Sequence, residues 1–192
     1  MNSDEERIRF ECTKCGACCR EPSLLVTVTG RDITRISTGL GLPAHEVLRA
    51  IDFYIVQEDE VPEGLREIPS VMTEQGPAYI ALKKLENGDC VFLKDDLCMI
   101  HPIRPMVCMS FPFVFKYADN ELTWGLSAMK EICPGLGTGP EVELSDLQEL
   151  AAVILEDLRL YREFAEEWNL ESEGCTAKNL IEMILSDLRF SV

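Results

Sequence analysis

The sequence has few of the residues that support familiar enzyme chemistry. It contains two histidines, His45 and His101, and neither lies in a recognisable catalytic-triad motif. It also has no glycine-rich phosphate loop and no dinucleotide-binding fingerprint. Nucleophilic catalysis and nucleotide chemistry therefore have no support in the sequence.

Long apolar runs and positive charge are also scarce. No run approaches the roughly 20 apolar residues that a membrane-spanning helix needs. The first seven residues are charged and lack the apolar core of a secretory signal, which predicts a cytoplasmic protein. The formal net charge is −16, so nucleic acids and anionic membrane surfaces are unfavourable partners. Beyond Pro140, thirteen acidic residues stand against four basic ones.

Cysteine, in contrast, is abundant. Four of the nine cysteines lie within the eight residues 12–19, separated by two-residue gaps that let thiolates converge on one ion or cluster. The alternative, a disulfide framework, is disfavoured because the cysteine number is odd and disulfides rarely persist in a reducing cytosol. The sequence therefore predicts metal binding.

Two cysteine-bearing segments together resemble a known family. The first reads Cys12-Thr-Lys-Cys15-Gly-Ala-Cys18-Cys19. The second contains Cys90, then Cys98-Met-Ile-His-Pro-Ile-Arg-Pro-Met-Val-Cys108-Met-Ser-Phe-Pro, and later Cys133-Pro-Gly. This pattern resembles the CxxCxxCC (YkgJ-type) family of zinc- or iron-chelating domains and spans about two thirds of the chain.

The resemblance implies a metal-binding protein. The role of the metal is expected to be mainly structural, because small cysteine-rich cores commonly depend on metal for stability, or else in redox or metal handling. The cysteines that match the pattern are the implied metal ligands: Cys12, Cys15, Cys18, Cys19, Cys90, Cys98, Cys108 and Cys133. One branch of the wider family resembles flagellin lysine methylases, in which an iron–sulfur cluster is expected. The resemblance therefore implies, as an alternative, an iron–sulfur-dependent enzyme similar to lysine N-methylases.

The matched cysteines number eight, twice what one tetrahedral site needs, so we expect two sites or one cluster with spare thiols. Cys18 and Cys19 are adjacent, and their side chains are expected to diverge. Cys12, Cys15 and Cys18 have the spacing that holds a [4Fe–4S] cluster, with Cys133 or Cys108 as a fourth ligand. Zinc more often uses two separated C-x2-C pairs, and the second pair is missing. Zinc and iron–sulfur both stay open, with the spacing slightly favouring the cluster.

Arg104 and His101 lie between two of these cysteines. A guanidinium can donate hydrogen bonds to sulfur or backbone and offset thiolate charge, which makes Arg104 a candidate residue of the cofactor site. A salt bridge to a carboxylate, or a clamp on the loop, is the alternative role. The family accepts tyrosine at the position of His101, so we expect this histidine to donate a hydrogen bond rather than to ligate. Cys175 lies outside the pattern and is expected to be a free structural thiol.

Local patterns predict an α+β fold with a small cysteine-clustered core and a helical C-terminal extension. The predicted strands cover 24–29, 79–85, 113–117 and 122–126, the last two forming a hairpin whose aromatic residues pack in the core. The predicted helices cover 32–37 and 44–54, and a loop covers 57–77.

The acidic tail is predicted to be helical. A capping box at 145–148 precedes an apolar stripe that runs from Leu147 to Trp168, and Thr176 caps a final helix. These patterns divide the chain into a metal-binding domain over 1–140 and a helical extension over 141–192 that packs on it. A protein partner or a homodimer through the extension is the alternative use of the stripe.

Overall fold

The computed structural model describes residues 8–55, 65, 67–118, 121–171 and 174–192. The strands within these residues are β1 (Arg9–Phe10), β2 (Ile51–Tyr54), β3 (Val71–Thr73), β4 (Gly76–Leu82), β5 (Leu93–Lys94), β6 (Leu97–Cys98), β7 (Phe113–Ala118), β8 (Glu121–Leu126) and β9 (Leu136–Glu141). The α-helices are α1 (Ala17–Arg20), α2 (Gly30–Leu40), α3 (Ala44–Val47), α4 (Met106–Ser110), α5 (Leu144–Leu170) and α6 (Ala177–Ser186). Short 3₁₀ helices cover His101–Ile103 and Leu188–Phe190.

The strands form small antiparallel sheets. The central sheet has the order β2-β4-β3, and the other described sheets are the pairs β1-β9, β5-β6 and β7-β8. The segment before α2 extends the central sheet, because Thr27 forms a bridge with Ala81 and Val26 accepts a hydrogen bond from the Leu82 amide at 2.8 Å. This segment is the strand predicted at 24–29, reduced to a single bridge.

Helices from both ends of the chain enclose one main core with the central sheet. Its buried residues include Val28 and Ile33 near the first cysteine segment, Ile80 of β4, and Tyr161 and Leu180 of the tail. The indole N–H of Trp168 donates to the carbonyl of Met72 at 2.8 Å, which joins α5 to β3. The tail therefore contributes its apolar stripe to the core of its own chain. No support remains for a dimer interface along that stripe.

The helices and small antiparallel sheets agree with the predicted α+β class, whereas the structure leaves the metal-binding nature of the core unconfirmed. The predicted hairpin is confirmed, with Phe113 paired to Leu126 and Phe115 to Trp124, although its turn at 119–120 lies outside the described residues. Phe113 is buried as expected, but Tyr117 and Trp124 are 64% and 39% exposed, so the core-packing prediction is wrong for those two residues. None of the described helices is long and apolar enough to cross a membrane.

Three local predictions were wrong. The helix predicted over 44–54 ends at Val47, because Ile51–Tyr54 pairs with β4 and tertiary pairing outweighs the apolar period. The predicted loop 57–77 contains β3 and the start of β4, while 56–64 and 66 lie outside the described residues. Helix α5 begins at Leu144 after Glu143 without a side-chain cap, so the predicted capping box does not form.

The helix predicted around 32–37 is present as the longer α2. Thr29 caps it, since its side chain accepts from the Asp32 amide while the Asp32 carboxylate accepts from the Thr29 amide. The predicted cap of α6 is confirmed, because the Thr176 side chain accepts from the Asn179 amide.

Candidate metal centre

The first cysteine motif ends in the one-turn helix α1, which carries Cys18 and Cys19. Gly16 precedes this helix with φ 68°, in the left-handed region. A Cβ atom at this position would lie 2.9 Å from the carbonyl oxygen of Asp96, so the turn requires glycine. The amide of Cys90 donates to the carbonyl of Cys19 at 2.8 Å. The turn and this hydrogen bond place α1 against the second cysteine segment.

The second segment brings its cysteines to the same place through two short elements. The β5-β6 hairpin turns at Asp95 and Asp96, which have φ 49° and 65°, and carries Cys98 on its second strand. Helix α4 carries Cys108 and begins after Pro105, whose missing N–H and fixed φ suit a helix start.

Five thiols meet around one cavity of about 390 Å³. They belong to Cys18, Cys19, Cys90, Cys98 and Cys108, which we call the inner cysteines. Arg104 lines the same cavity. The structure thus brings together five of the eight predicted ligands and the predicted arginine.

The thiols of Cys18, Cys19 and Cys98 affect one another's ionisation. Its S–H lies in hydrogen-bonding contact with the sulfurs of Cys18 and Cys98. Donation from Cys19 lowers the pKa of Cys18 to about 7 and that of Cys98 to about 6, and raises the pKa of Cys19 itself. Two inner thiols therefore ionise near neutral pH, and the thiolate is the form that binds metal.

The side chains of Cys18 and Cys19 do not diverge as expected, because both thiols interact with each other and with Cys98.

The other two inner cysteines, Cys90 and Cys108, differ in their electrostatics. Burial raises the pKa of Cys90, and it raises that of Cys108 further. These two thiols are protonated at neutral pH and would lose their protons when a metal ion binds.

The remaining predicted ligands lie apart from the cavity. Cys12 and Cys15 are exposed, and Arg20 donates to the Cys15 carbonyl at 2.9 Å. Cys133 is buried in a small separate cluster with Ala128 and Leu136. We call Cys12, Cys15 and Cys133 the outer cysteines. The charges of Cys18 and Cys12 both act on Cys133, after the larger effect of burial, and raise its pKa. The predicted [4Fe–4S] set of Cys12, Cys15 and Cys18 with Cys133 or Cys108 stays a prediction.

Within the described part of the chain, no three histidine, cysteine or acidic side chains are arranged closely enough to hold a metal ion. The donor chemistry nevertheless fits zinc and iron–sulfur clusters, since both take thiolate sulfur. Ligation by the inner cysteines would require their sulfurs to move closer together.

Arg104 bridges the backbone on both sides of the cysteine loop. Its guanidinium donates to the carbonyl of His101 at 2.6 Å and to that of Cys108 at 3.3 Å. These two bonds are those of a loop clamp, one of the alternative roles considered for Arg104. Among the described residues it forms no salt bridge to a carboxylate, the other alternative. Its charge also lowers the pKa of Cys98, after the larger effect of the Cys19 hydrogen bond.

The tautomer of His101 follows from its arginine neighbour. A guanidinium can only donate, so His101 accepts the contact from Arg104 through Nδ1, at 3.2 Å, and carries its proton on Nε2. Burial and the Arg104 charge lower its pKa and keep the ring neutral. The Nε2 atom is buried without a partner within the described structure. The expected hydrogen bond of His101 to the metal site therefore stays a prediction.

Asp32 is the site residue that the sequence analysis missed. It is almost fully buried on α2, and its carboxylate accepts from the Met106 amide at 2.9 Å and pairs with Arg35. Arg35 also donates to the carbonyl of Arg104 at 3.2 Å. The pair thus connects α2 to the loop between Cys98 and Cys108. The three-residue spacing of Thr29 and Asp32 is typical of a capping box and could have predicted the start of the helix. It could not have predicted the hydrogen bond from the distant Met106 amide.

Cys175 lies outside both cysteine groups, as predicted. Its thiol donates to the carbonyl of Glu171 at 3.2 Å and packs against the main core.

Comparison with known proteins finds a family and one relative. Residues 11–134 match a family model named CxxCxxCC, with the description "Putative zinc- or iron-chelating domain". A relative, "Uncharacterized protein MJ0661" of Methanocaldococcus jannaschii, is 30% identical over 119 residues, which make up 60% of this chain and 51% of that protein. The chain thus spans about half the length of the curated relative that it matches. No solved structure matches the chain.

Proposed function

Because the chain belongs to the CxxCxxCC family of zinc- or iron-chelating domains, we propose that it binds zinc or an iron–sulfur cluster through two groups of cysteines. The inner cysteines form the first site, and the outer cysteines contribute to the second. The observation that carries this proposal is the convergence of the five inner cysteines on one cavity, to which the low pKa values of Cys18 and Cys98 add readily formed thiolates.

The inner site has more sulfur donors than a tetrahedral ion needs. Cys18 and Cys98 ionise most readily, and Cys90 and Cys108 complete a four-sulfur set that reaches the cavity from α1, the β5-β6 hairpin and α4. Cys19 then serves as a fifth thiol that donates its S–H to two of the ligands. A bound zinc ion would supply a cross-link between these elements, and an iron–sulfur cluster would add a redox centre.

Two residues support the ligands without contacting the ion. Arg104 offsets part of the thiolate charge while it joins the two ends of the loop. His101 offers its buried Nε2–H to a ligating sulfur. Donors of this kind orient ligands and tune metal affinity.

The main role that we propose for the metal is structural, because ligands from distant segments converge on the inner site. A redox or metal-handling role is the second candidate, and the exposure of Cys12 and Cys15 favours it, since accessible thiols exchange metal readily. The reduced thiols required by either role suit a cytoplasmic location. The enzyme alternative, similar to lysine N-methylases, would need an open coordination position on iron.

Metal content tests the proposal directly. Protein purified without oxygen is expected to contain zinc or iron, measured by elemental analysis together with a visible spectrum that distinguishes a cluster from a zinc ion. The Cys98→Ser variant should lose the inner metal, because an alkoxide does not replace a thiolate as ligand at neutral pH. Cys175→Ser is the matched control and should retain it. Metal-free wild-type protein, or metal loss in the control alone, would contradict the assignment.

A further inference from the structure

The cavity that contains the inner cysteines extends along an apolar wall with no part in metal binding. Two segments supply most of this wall, the chain before α2 and the chain from α4 into β7. The apolar residues concerned are Leu24, Leu25, Val26, Val107, Phe111, Phe113 and Val114.

The size of the cavity exceeds what a metal site needs. Its volume of about 390 Å³ lies within the range of small-molecule sites, about 300–1,000 Å³. A tetrahedral ion with bonds of about 2.3 Å to sulfur takes up a small part of that space. A zinc ion by itself would therefore not fill this cavity.

The wall is held in place by the fold. Val26 accepts from the Leu82 amide at 2.8 Å, which fixes the first segment to the edge of the central sheet. Phe113 is buried and packs edge-on against Phe10 and Trp124, with ring centroids 5.5 Å and 6.0 Å away. Leu24, in contrast, is only half-buried. Apolar surface thus faces the cavity from segments whose positions are set by other contacts.

The charged residues that line the cavity limit the charge of a ligand that could bind there. Arg104 carries the only formal charge among the described residues that line the cavity, apart from the inner thiolates. Its guanidinium already donates to the carbonyls of His101 and Cys108 and faces Cys98. No free cation is left for an anionic ligand, and the thiolates would repel one.

We propose that the apolar part of this cavity binds an uncharged apolar small molecule beside the inner cysteines. This binding function goes beyond metal chelation and does not depend on which metal the protein holds. Apolar cavities in proteins readily accept apolar guests because neither surface loses hydrogen bonds to water.

Fluorescence titration of the metal-loaded protein with the neutral probe 1-aminoanthracene tests the proposal. Saturable binding is expected, followed by displacement with decan-1-ol. Decanoate, which has the same chain length and a negative charge, should require at least tenfold higher concentrations. Equal displacement by the two compounds would overturn the assignment of an uncharged ligand, and the absence of saturable probe binding would overturn the site.

Substitutions that fill the cavity locate the bound probe. Val114→Trp and Val26→Phe should each weaken probe binding at least tenfold. Val153→Trp is the matched control, because Val153 is 49% exposed on α5 and Val114 is 48% exposed on β7. Because Val114 is exposed, the Val114→Trp variant should fold even if Val26→Phe does not. Unchanged probe affinity in Val114→Trp would overturn the proposal.

Elemental analysis of the same samples separates this inference from the proposed function. If wild-type protein binds the probe but contains no metal, the proposed metal binding is contradicted and the cavity site is not. Wild-type protein that holds metal without binding the probe would contradict the cavity site alone.

Discussion

Cys19 affects more of the candidate metal centre than its place in the motif suggests. Its thiol contacts Cys18 and Cys98, and its carbonyl accepts from the Cys90 amide at 2.8 Å. One residue therefore connects three other inner cysteines, two through its side chain and one through its backbone.

Replacing Cys19 with alanine should make Cys18 and Cys98 less acidic, because both lose the S–H donor that stabilises their thiolates. In metal-free protein, the pKa of Cys98 should rise from about 6 toward the usual thiol value of about 8.5. Rates of iodoacetamide alkylation against pH, resolved by residue with mass spectrometry, measure this shift. Cys175→Ala is the control, and an unchanged Cys98 profile in Cys19→Ala would refute the proposed donation.

Two substitutions separate the roles of Arg104. Arg104→Lys keeps the positive charge but loses the planar fork that bridges the His101 and Cys108 carbonyls, so stability should fall by about 1.5–3 kcal/mol while metal affinity holds. Arg104→Ala removes the charge as well, and metal affinity should fall about tenfold or more. Thermal unfolding and competition with a calibrated chelator provide the two measurements. Equal metal affinity in both variants would limit Arg104 to a backbone role.

At the scale of elements, helix α2 connects the main core to the cysteine loop. The Asp32 carboxylate accepts from the amide of Thr29, the cap of the helix, and also from the Met106 amide at the start of α4. On the same helix, Arg31 pairs with the buried Asp157 of α5. Charged residues of α2 thus fix both the tail and the segment that carries Cys108.

Asp32→Ala should destabilise the protein by about 3–5 kcal/mol, because it leaves the charge of Arg35 and the Met106 amide without their buried partner. The variant should also bind metal more weakly, since α4 loses its attachment to α2. Chemical denaturation and chelator competition measure the two effects. The matched control is Asp146→Ala, an exposed residue in the first turn of α5, with an expected cost below about 1 kcal/mol. Similar losses in the two variants would argue against the role of Asp32.

At the scale of the whole molecule, the tail and the cysteine-bearing part share one core. The tail supplies Tyr161, Phe164, Trp168, Leu180, Ile181, Ile184 and Phe190, all of them buried. Fully burying each such side chain stabilises the fold by about 1.5–3 kcal/mol. The division into domains at residue 140 remains a prediction, and the shared core makes independent folding of residues 1–140 unfavourable.

A chain truncated after residue 140 should therefore fail to fold, since loss of these seven side chains removes as much as the typical total stability of about 5–15 kcal/mol. Circular dichroism and solubility of the truncated chain test this expectation. Co-expression of residues 141–192 as a separate chain is the control and should restore soluble protein. A cooperatively unfolding 1–140 fragment would instead favour two domains.

Local patterns predicted those elements whose signals lie within a few residues. The β7-β8 hairpin, helix α2 and the Thr176 cap agree with the sequence because turn residues, apolar period and caps act over short distances. The helix expected over 44–54 failed at Ile51, where pairing with the distant strand β4 replaced the helical period. The capping box expected at Ser145 failed because α5 begins at Leu144, which places Ser145 inside the helix.

The sequence by itself determined the family and the kind of chemistry, since cysteine spacing is a local property that a family model can match over residues 11–134. Only the tertiary structure decided which cysteines meet. It placed Cys18 with Cys90, Cys98 and Cys108 and left Cys12 and Cys15 exposed, a grouping that motif spacing does not reveal. The reason is physical: the contact of α1 with the second segment depends on a left-handed turn at Gly16 and on a hydrogen bond between residues 71 positions apart.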